Sequence, residues 1–286
     1  MLNDIGFLEK RRLGIGGSDV AAILGKSTFK TAVDVWREKL GEVKYEELSP
    51  CDTKTASRYW GKILEEPIIK EYEKEKITDV IRGKEYGQLV HPEYPWLIAN
   101  IDGIAKTKER GDVLLEVKNW DHDRYEKWGE EGSDQIPLDY TFQVHHYLNV
   151  TGMYEADVAI RLKGVLKFFH IKRSQELIDG FHQALKNFWF INVQKKIAPK
   201  PQDLPDVNKL YPHSVKTKKQ ATEDIILAVT NARTLRDEIS GKERELKENK
   251  LKIASCMGSC DTLVAGNERL VTFNQRKDGV RVLKVI

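Results

Sequence analysis

The sequence predicts an α/β protein: a core with a central mixed β-sheet and helices on both sides, followed by a C-terminal helical appendage. Three patterns predict it. Apolar residues recur at helical spacing in the first quarter of the chain. Short apolar runs broken by Pro, Gly and charged turns take over from about Glu85, and a seven-residue apolar repeat follows a proline-rich stretch near residue 200.

Composition sets the outer limits. At 286 residues the chain exceeds one average domain, so a sizeable core with an appendage is expected. Hydrophobic residues at 40% and charged residues at 32% suit a globular protein in water and exclude wholesale disorder. No apolar run approaches the roughly 20 residues that span a bilayer. The opening MLNDIGFLEKRR lacks the apolar core of a secretory signal, so the cytoplasm is the expected compartment. Cys51, Cys256 and Cys260 contain no CxxC, which excludes a disulfide framework and a four-thiolate metal site within one chain. Net charge +3 permits nucleic-acid binding without demanding it.

The elements follow in order. GIGGSDVAAIL offers Ser18 or Asp19 as a helix cap and Gly25 as the stop; a second helix is expected from Thr31 to Gly41. A third, around WGKILEEPIIKEYEKE, places Leu64, Ile68 and Tyr72 on one stripe with Glu65 beside it. EYGQLV, WLIANIDGIAK and DVLLEVKNW read as consecutive strands of an antiparallel meander. PLDYTFQVHHYLNVTG starts a helix at Pro137 and closes it at Gly152. ADVAIRL and VLKFFHIKR flank Lys163-Gly164 as a hairpin, and a long amphipathic helix follows from SQELIDGF. These elements set a core domain at residues 1–198. Residues 199–218, with four prolines, read as a linker with neither helix nor strand. In the appendage, residues 219–286, Ile225, Ala232, Ile239, Leu246 and Ile253 repeat every seven residues as half of a coiled-coil seam. Lys242 and Asn249 interrupt the companion row of Ala228, Leu235 and Cys256. A β-hairpin turning at Asp278-Gly279 closes the chain.

One cluster carries chemistry. Asp102 stands at the end of one strand. Glu116 and Lys118, two apart on the next, point to the same face, so the three converge. Two carboxylates suit a hard divalent cation that takes oxygen ligands and keeps several waters, and the lysine can hold one of those waters. With a phosphate present, such a site hydrolyses a phosphodiester. Glu65 is the candidate third carboxylate, with Glu66 as the fallback. A plainer reading stays open, in which Asp102 makes a turn before Gly103 and Glu116 and Lys118 form a surface pair.

Asp102, Glu116 and Lys118 match the Asp…Glu-x-Lys signature of the PD-(D/E)XK nucleases, with Ile101 in place of the usual Pro. RLGIGGSDVAAILG, WGKILEEP, IPLDYTFQVHHYLNVTG and the coiled coil with its terminal hairpin further resemble the YqaJ-type viral recombinases, relatives of lambda exonuclease. That resemblance covers nearly the whole chain and implies a PD-(D/E)XK core. It implies a metal site of Asp102, Glu116, the Val117 carbonyl and Glu65, holding Mg²⁺ or Mn²⁺, with two ions expected. Lys118 would position the nucleophilic water, Gln143 would orient Lys118 or that water, and Arg12 and Ser18 would bind the 5′-terminal phosphate.

The activity so implied is 5′ to 3′ digestion of linear double-stranded DNA, leaving 3′ strands for a RecT-type annealing protein of a phage or prophage. A ring of three subunits would explain processivity. The incomplete heptad seam makes the appendage a candidate contact for that partner. The near rival is an endonuclease or single-strand nuclease with the same metal chemistry; the distant rival is a non-catalytic DNA-binding protein.

Other features have two readings each. Trp120, Tyr125 and Trp128 could stack on bases or anchor their loop. The adjacent His145 and His146 point in different directions and do not suit one metal, leaving DNA contact open. Lys216 to Lys219 could follow a phosphate backbone or simply be solvated.

Overall fold

In the computed structural model, which describes residues 5–43, 47–53, 55–120 and 128–286, the chain forms two units, one running to Ser214 and one from Val215 to Ile286. The first opens with helices α1 (Ile5–Arg12), α2 (Gly17–Ile23), α3 (Ala32–Lys39) and α4 (Ala56–Lys76). The cap of α2 is Gly16 rather than Ser18 or Asp19. Asp19 lies one turn inside, and its carboxylate accepts the Gly16 N–H at 3.0 Å. Gly25 follows the helix at φ +67°, a conformation costly for any residue with a side chain. Thr31 caps α3, and α4 turns Ile68, Ile69 and Tyr72 inward as the fourfold spacing predicts.

Five strands make the main sheet: β1 (Asp79–Arg82), β4 (Gly103–Thr107), β5 (Gly111–Trp120), β6 (Glu155–Leu162) and β7 (Val165–Lys172), in the order β1-β4-β5-β6-β7. The β5–β6 pair is parallel and the others antiparallel, so the sheet is mixed. A parallel pair needs a crossover, and α6 (Leu138–Thr151) supplies its helix. Lys163 and Gly164, at φ +45° and +90°, make the β6–β7 turn.

The expected meander holds only in part. Tyr86 ends a short helix α5 (Gly83–Tyr86). The two-residue strands β2 (Leu89–Val90) and β3 (Ile98–Ala99) pair with each other outside the main sheet. Gly83 lies so close to the segment leading into β4 that an added Cβ would stand 1.7 Å from the Ile101 carbonyl oxygen.

Strand β5 divides the core by its alternation. Val113, Leu115 and Val117 pack with Ile68, Ile69 and Tyr72 of α4, while Leu114 and Trp120 join the larger cluster with α2, α6 and α7 (Gln175–Asn187). Glu116 and Lys118 share the parity of Leu114, which directs them to the α6 side. A π-helical turn, Phe188–Val193, continues α7.

The proline-rich stretch corrects the expectation of a helix-free linker, because it contains α8 (Leu204–Leu210). The Asp203 carboxylate caps it by accepting the Asp206 N–H at 2.8 Å, and Pro205 falls in the first turn, where no intrahelical N–H is required. Asp206 is buried against α3, taking the Thr31 hydroxyl at 2.7 Å.

The second unit consists of α9 (Glu223–Met257) and a three-stranded antiparallel sheet of β8 (Thr262–Ala265), β9 (Glu268–Gln275) and β10 (Arg281–Val285). Its hairpin turns at the predicted Gly279, φ +85°, and β8 adds an unpredicted third strand. No helix among the described residues is long and apolar enough to cross a membrane.

Candidate active site

The site forms where β4 begins and β5 ends. Gly103 pairs with Leu115, so Asp102, one residue earlier, comes level with Glu116. Asp102 Oδ2 accepts the Val117 N–H at 2.7 Å, which fixes the aspartate against the β5 backbone. Glu116 is buried at 1% exposure. Its Oε1 accepts from both the Lys118 ammonium and the Gln143 amide, the latter at 2.6 Å. Its Oε2 is buried without a hydrogen-bond partner among the described residues. Gln143, on α6, also donates to the Tyr147 hydroxyl at 3.3 Å, and the Tyr140 ring centroid lies 5.2 Å from Lys118 Nζ.

Burial and like charge set the protonation of this cluster. Burial, with Asp102 close by, lifts the Glu116 carboxyl to about 8. The same two causes lift Glu65, on α4, to about 7, so Glu65 feels the field of Asp102. Burial also raises Asp102, against the pull of Lys118 and the Val117 N–H. Lys118 goes the other way for an ammonium: burial opposes its charge, but Glu116 and Asp102 overcome it, and the lysine stays protonated. Glu66 is engaged elsewhere, accepting from Arg82 at 2.9 and 3.2 Å.

These residues fit a divalent cation. A buried carboxylate oxygen with no donor is costly as it stands and is satisfied by a cation. Among the described residues no group of three or more His, Cys, Asp or Glu side chains is set to hold a metal by itself. A hard ion such as Mg²⁺ does not need one, since it commonly takes one or two carboxylates and completes its shell with waters and substrate phosphate.

Of the predicted phosphate pair, Arg12 and Ser18, the serine has its hydrogen bond with a neighbouring arginine. Arg11, not Arg12, donates to Ser18 Oγ, at 2.8 Å. Adjacent residues of a helix point about 100° apart, and Arg12 turns to Gly41, where an added Cβ would meet its Nη1 at 3.3 Å. Arg11 also stands 3.7 Å from the buried Asp19, which binds Lys30 Nζ at 2.7 Å and Lys39 Nζ at 2.6 Å. Burial favours a neutral Asp19, yet Lys30, Lys39 and Arg11 hold it well below the usual carboxylate range. Sequence reasoning missed Arg11, Lys30 and Lys39 because only the fold brings α1, α3 and the turn ahead of α3 to this carboxylate. It missed Tyr147 although the four-residue step from Gln143 marks a shared helix face.

Other candidates fall away from the site. His145 and His146 are buried, each with a ring nitrogen 2.9 Å from a backbone carbonyl, of Thr141 and Ile98 respectively, so neither is presented at the surface. Trp120 and Trp128 are 8% and 6% exposed and pack around Tyr140, which makes them anchors rather than stacking platforms. Tyr125 lies outside the described residues.

Residues 6–154 match the family model of the YqaJ-like viral recombinase domain. Over 196 residues the chain is 36% identical to the uncharacterized protein YqaJ of Bacillus subtilis (strain 168), an alignment covering 68% of this chain and 57% of that protein. The chain thus spans less than two thirds of that relative's length. Its fold is similar to the crystal structure of an alkaline exonuclease, LHK-Exo, from Laribacter hongkongensis: TM-score 0.51, 16% identity, 68% of this chain and 94% of that one. The structure of LHK-Exo in complex with dAMP gives the same TM-score and coverage at 17% identity. At such identity the likeness bears on the fold alone.

Proposed function

We propose, for a chain that belongs to the YqaJ-like viral recombinase domain family, a metal-dependent nuclease that digests linear double-stranded DNA from its 5′ ends and leaves 3′ single strands. One observation carries the reading. Glu116 is buried with one oxygen shared by Lys118 and Gln143 and the other without a partner, beside an aspartate fixed to the same strand.

Asp102, Glu116, the Val117 carbonyl and Glu65 would hold Mg²⁺, or Mn²⁺ in its place, with two ions expected from the family likeness. When bound, the metal polarises a phosphoryl oxygen and neutralises charge on the leaving oxygen. Lys118, kept protonated by its carboxylate neighbours, acts by donating hydrogen bonds. It orients a water and meets negative charge as that charge develops on the phosphoryl group. Gln143 holds Glu116 by one amide hydrogen and keeps the Lys118–Glu116 contact in place. Attack of the water on phosphorus with loss of the 3′ oxygen releases a nucleotide and leaves a new 5′-phosphate on the shortened strand. The charge-assisted pair Arg11 and Ser18 suits that phosphate and would bind it again after every cut. The 3′ strand so exposed is the substrate of a RecT-type annealing protein, which we propose as the functional partner.

The test is nucleotide release from a linear duplex by the native and Lys118→Ala proteins, each with Mg²⁺ and with EDTA. Release by the native protein with Mg²⁺, and by none of the other three combinations, is expected. Equal release by the Lys118→Ala protein would remove this site from the reaction.

A further inference from the structure

Helix α9 is 35 residues long, about 50 Å at 1.5 Å per residue, yet Met257 is its only buried residue. Ile225, Leu235, Ile239 and Leu246 stand between 50% and 59% exposed, all on the seam that the heptad repeat defines. A helix of this length gains most of its stability by burying such a stripe. Charge narrows what can cover it. The helix carries seven acidic and seven basic side chains, so a nucleic acid or a strongly charged protein has no electrostatic reason to choose it. A surface of balanced, interspersed charge is complementary to itself.

We infer that α9 pairs with α9 of a second copy of this chain as an antiparallel two-stranded coiled coil. The interruptions in the seam select this orientation. In a parallel, in-register pair Lys242 would face Lys242 and Asn249 would face Asn249. In the antiparallel pair centred between Ser240 and Gly241, Leu235 packs on Leu246 of the second copy, Ala228 on Ile253 and Ile225 on Cys256. Lys242 then lies opposite Ile239 and level with Glu238 of the second copy, while its own helix offers Glu245 at 2.8 Å. Each lysine thus sits between two glutamates, and Arg236 comes beside Glu243 of the second copy. Both polar interruptions are separated from their own symmetry mates, and most layers set a large apolar side chain against another or against a small one.

A native thiol makes the orientation measurable. Cys256 is exposed and lies on the seam. In full-length protein with Cys51→Ser and Cys260→Ser, a parallel coil would place Cys256 against Cys256 and oxidise to a covalent dimer. An antiparallel coil sets those two thiols far apart, and adding Ile225→Cys places a thiol against Cys256 of the second copy. Mild oxidation and a non-reducing gel are expected to give a covalent dimer only in the protein carrying Ile225→Cys. Light scattering should show a lower molar mass for Leu235→Glu with Leu246→Glu, with circular dichroism confirming that the first unit stays folded. A cross-link through Cys256 alone would overturn the antiparallel pairing. Absence of any cross-link together with an unchanged mass would overturn self-association and leave the seam to another part of the chain or to a different protein.

Discussion

At the scale of single residues the account rests on four side chains with different tasks, and each can be removed separately. Lys118→Ala, Asp102→Asn and Glu116→Gln are each expected to lower digestion of linear DNA about 100-fold or more, since each takes away a group that acts at the reacting phosphate. Glu65→Gln should lower it also, while Glu66→Gln should leave it within about twofold, because Glu66 is occupied by Arg82. Steady-state rates on one linear duplex decide both points, and equal loss in the two glutamate variants would contradict the assignment. The raised carboxyls give a pH dependence of definite sign. With Glu116 near 8 and Glu65 near 7, both hold protons at pH 6, and a cation must displace them. Apparent Mn²⁺ affinity should therefore rise between pH 6 and 9, by about tenfold per unit for each proton displaced, and then level off. Calorimetry across that range checks it, and affinity independent of pH would show that the buried carboxyls are not the ligands. Asp102, Glu116 and Lys118 were legible in the sequence because strand parity is a local property. That Arg11 rather than Arg12 meets Ser18 was not, because it turns on the rotation of α1 against an aspartate held by lysines from outside that helix.

At the scale of elements, what places Gln143 is the close approach of α2 to α6. A Cβ on Gly17 would stand 2.6 Å from Tyr147 Cε1, 2.9 Å from Gln143 Cγ and 3.0 Å from the Gln143 carbonyl oxygen. The last is backbone and cannot swing aside, so Gly17→Ala must push the helices apart. It is expected to cost about 1–3 kcal/mol and to reduce nuclease activity more than that loss of stability explains. Urea unfolding and kinetics at a temperature where the variant is fully folded would separate the two effects. Helix α8 gives a second test. Asp206→Ala removes acceptors for the Thr31 hydroxyl at 2.7 Å, the Gln202 N–H at 3.0 Å and Lys209 at 3.1 Å. The variant should lose about 1–3 kcal/mol of stability and expose residues 199–214 to protease. Helix starts and stops were legible wherever a cap or a left-handed glycine marks them, as at Thr31, Gly25 and Gly152. Helix α8 was hidden because proline content argues against a helix unless the proline falls in the first turn, and β2 and β3 were overread because apolar runs do not reveal which sheet a strand joins.

At the scale of the whole molecule, the α/β class and the long C-terminal helix followed from periodicity, which records how each segment buries its apolar face. The parallel β5–β6 pair and the side of the sheet on which the site opens depend on contacts between distant segments, and no single segment encodes them. The central claim joins the site to a mode of action, namely metal-dependent digestion that starts from the 5′ ends of linear duplex DNA. The most direct measurement follows the loss of label from a linear duplex tagged separately at its 5′ and 3′ ends, with Mg²⁺, beside a covalently closed circle of the same sequence. Early loss of the 5′ label, retention of the 3′ label and an intact circle are the result the account predicts. Cutting of the circle, or loss of the 3′ label first, would contradict it.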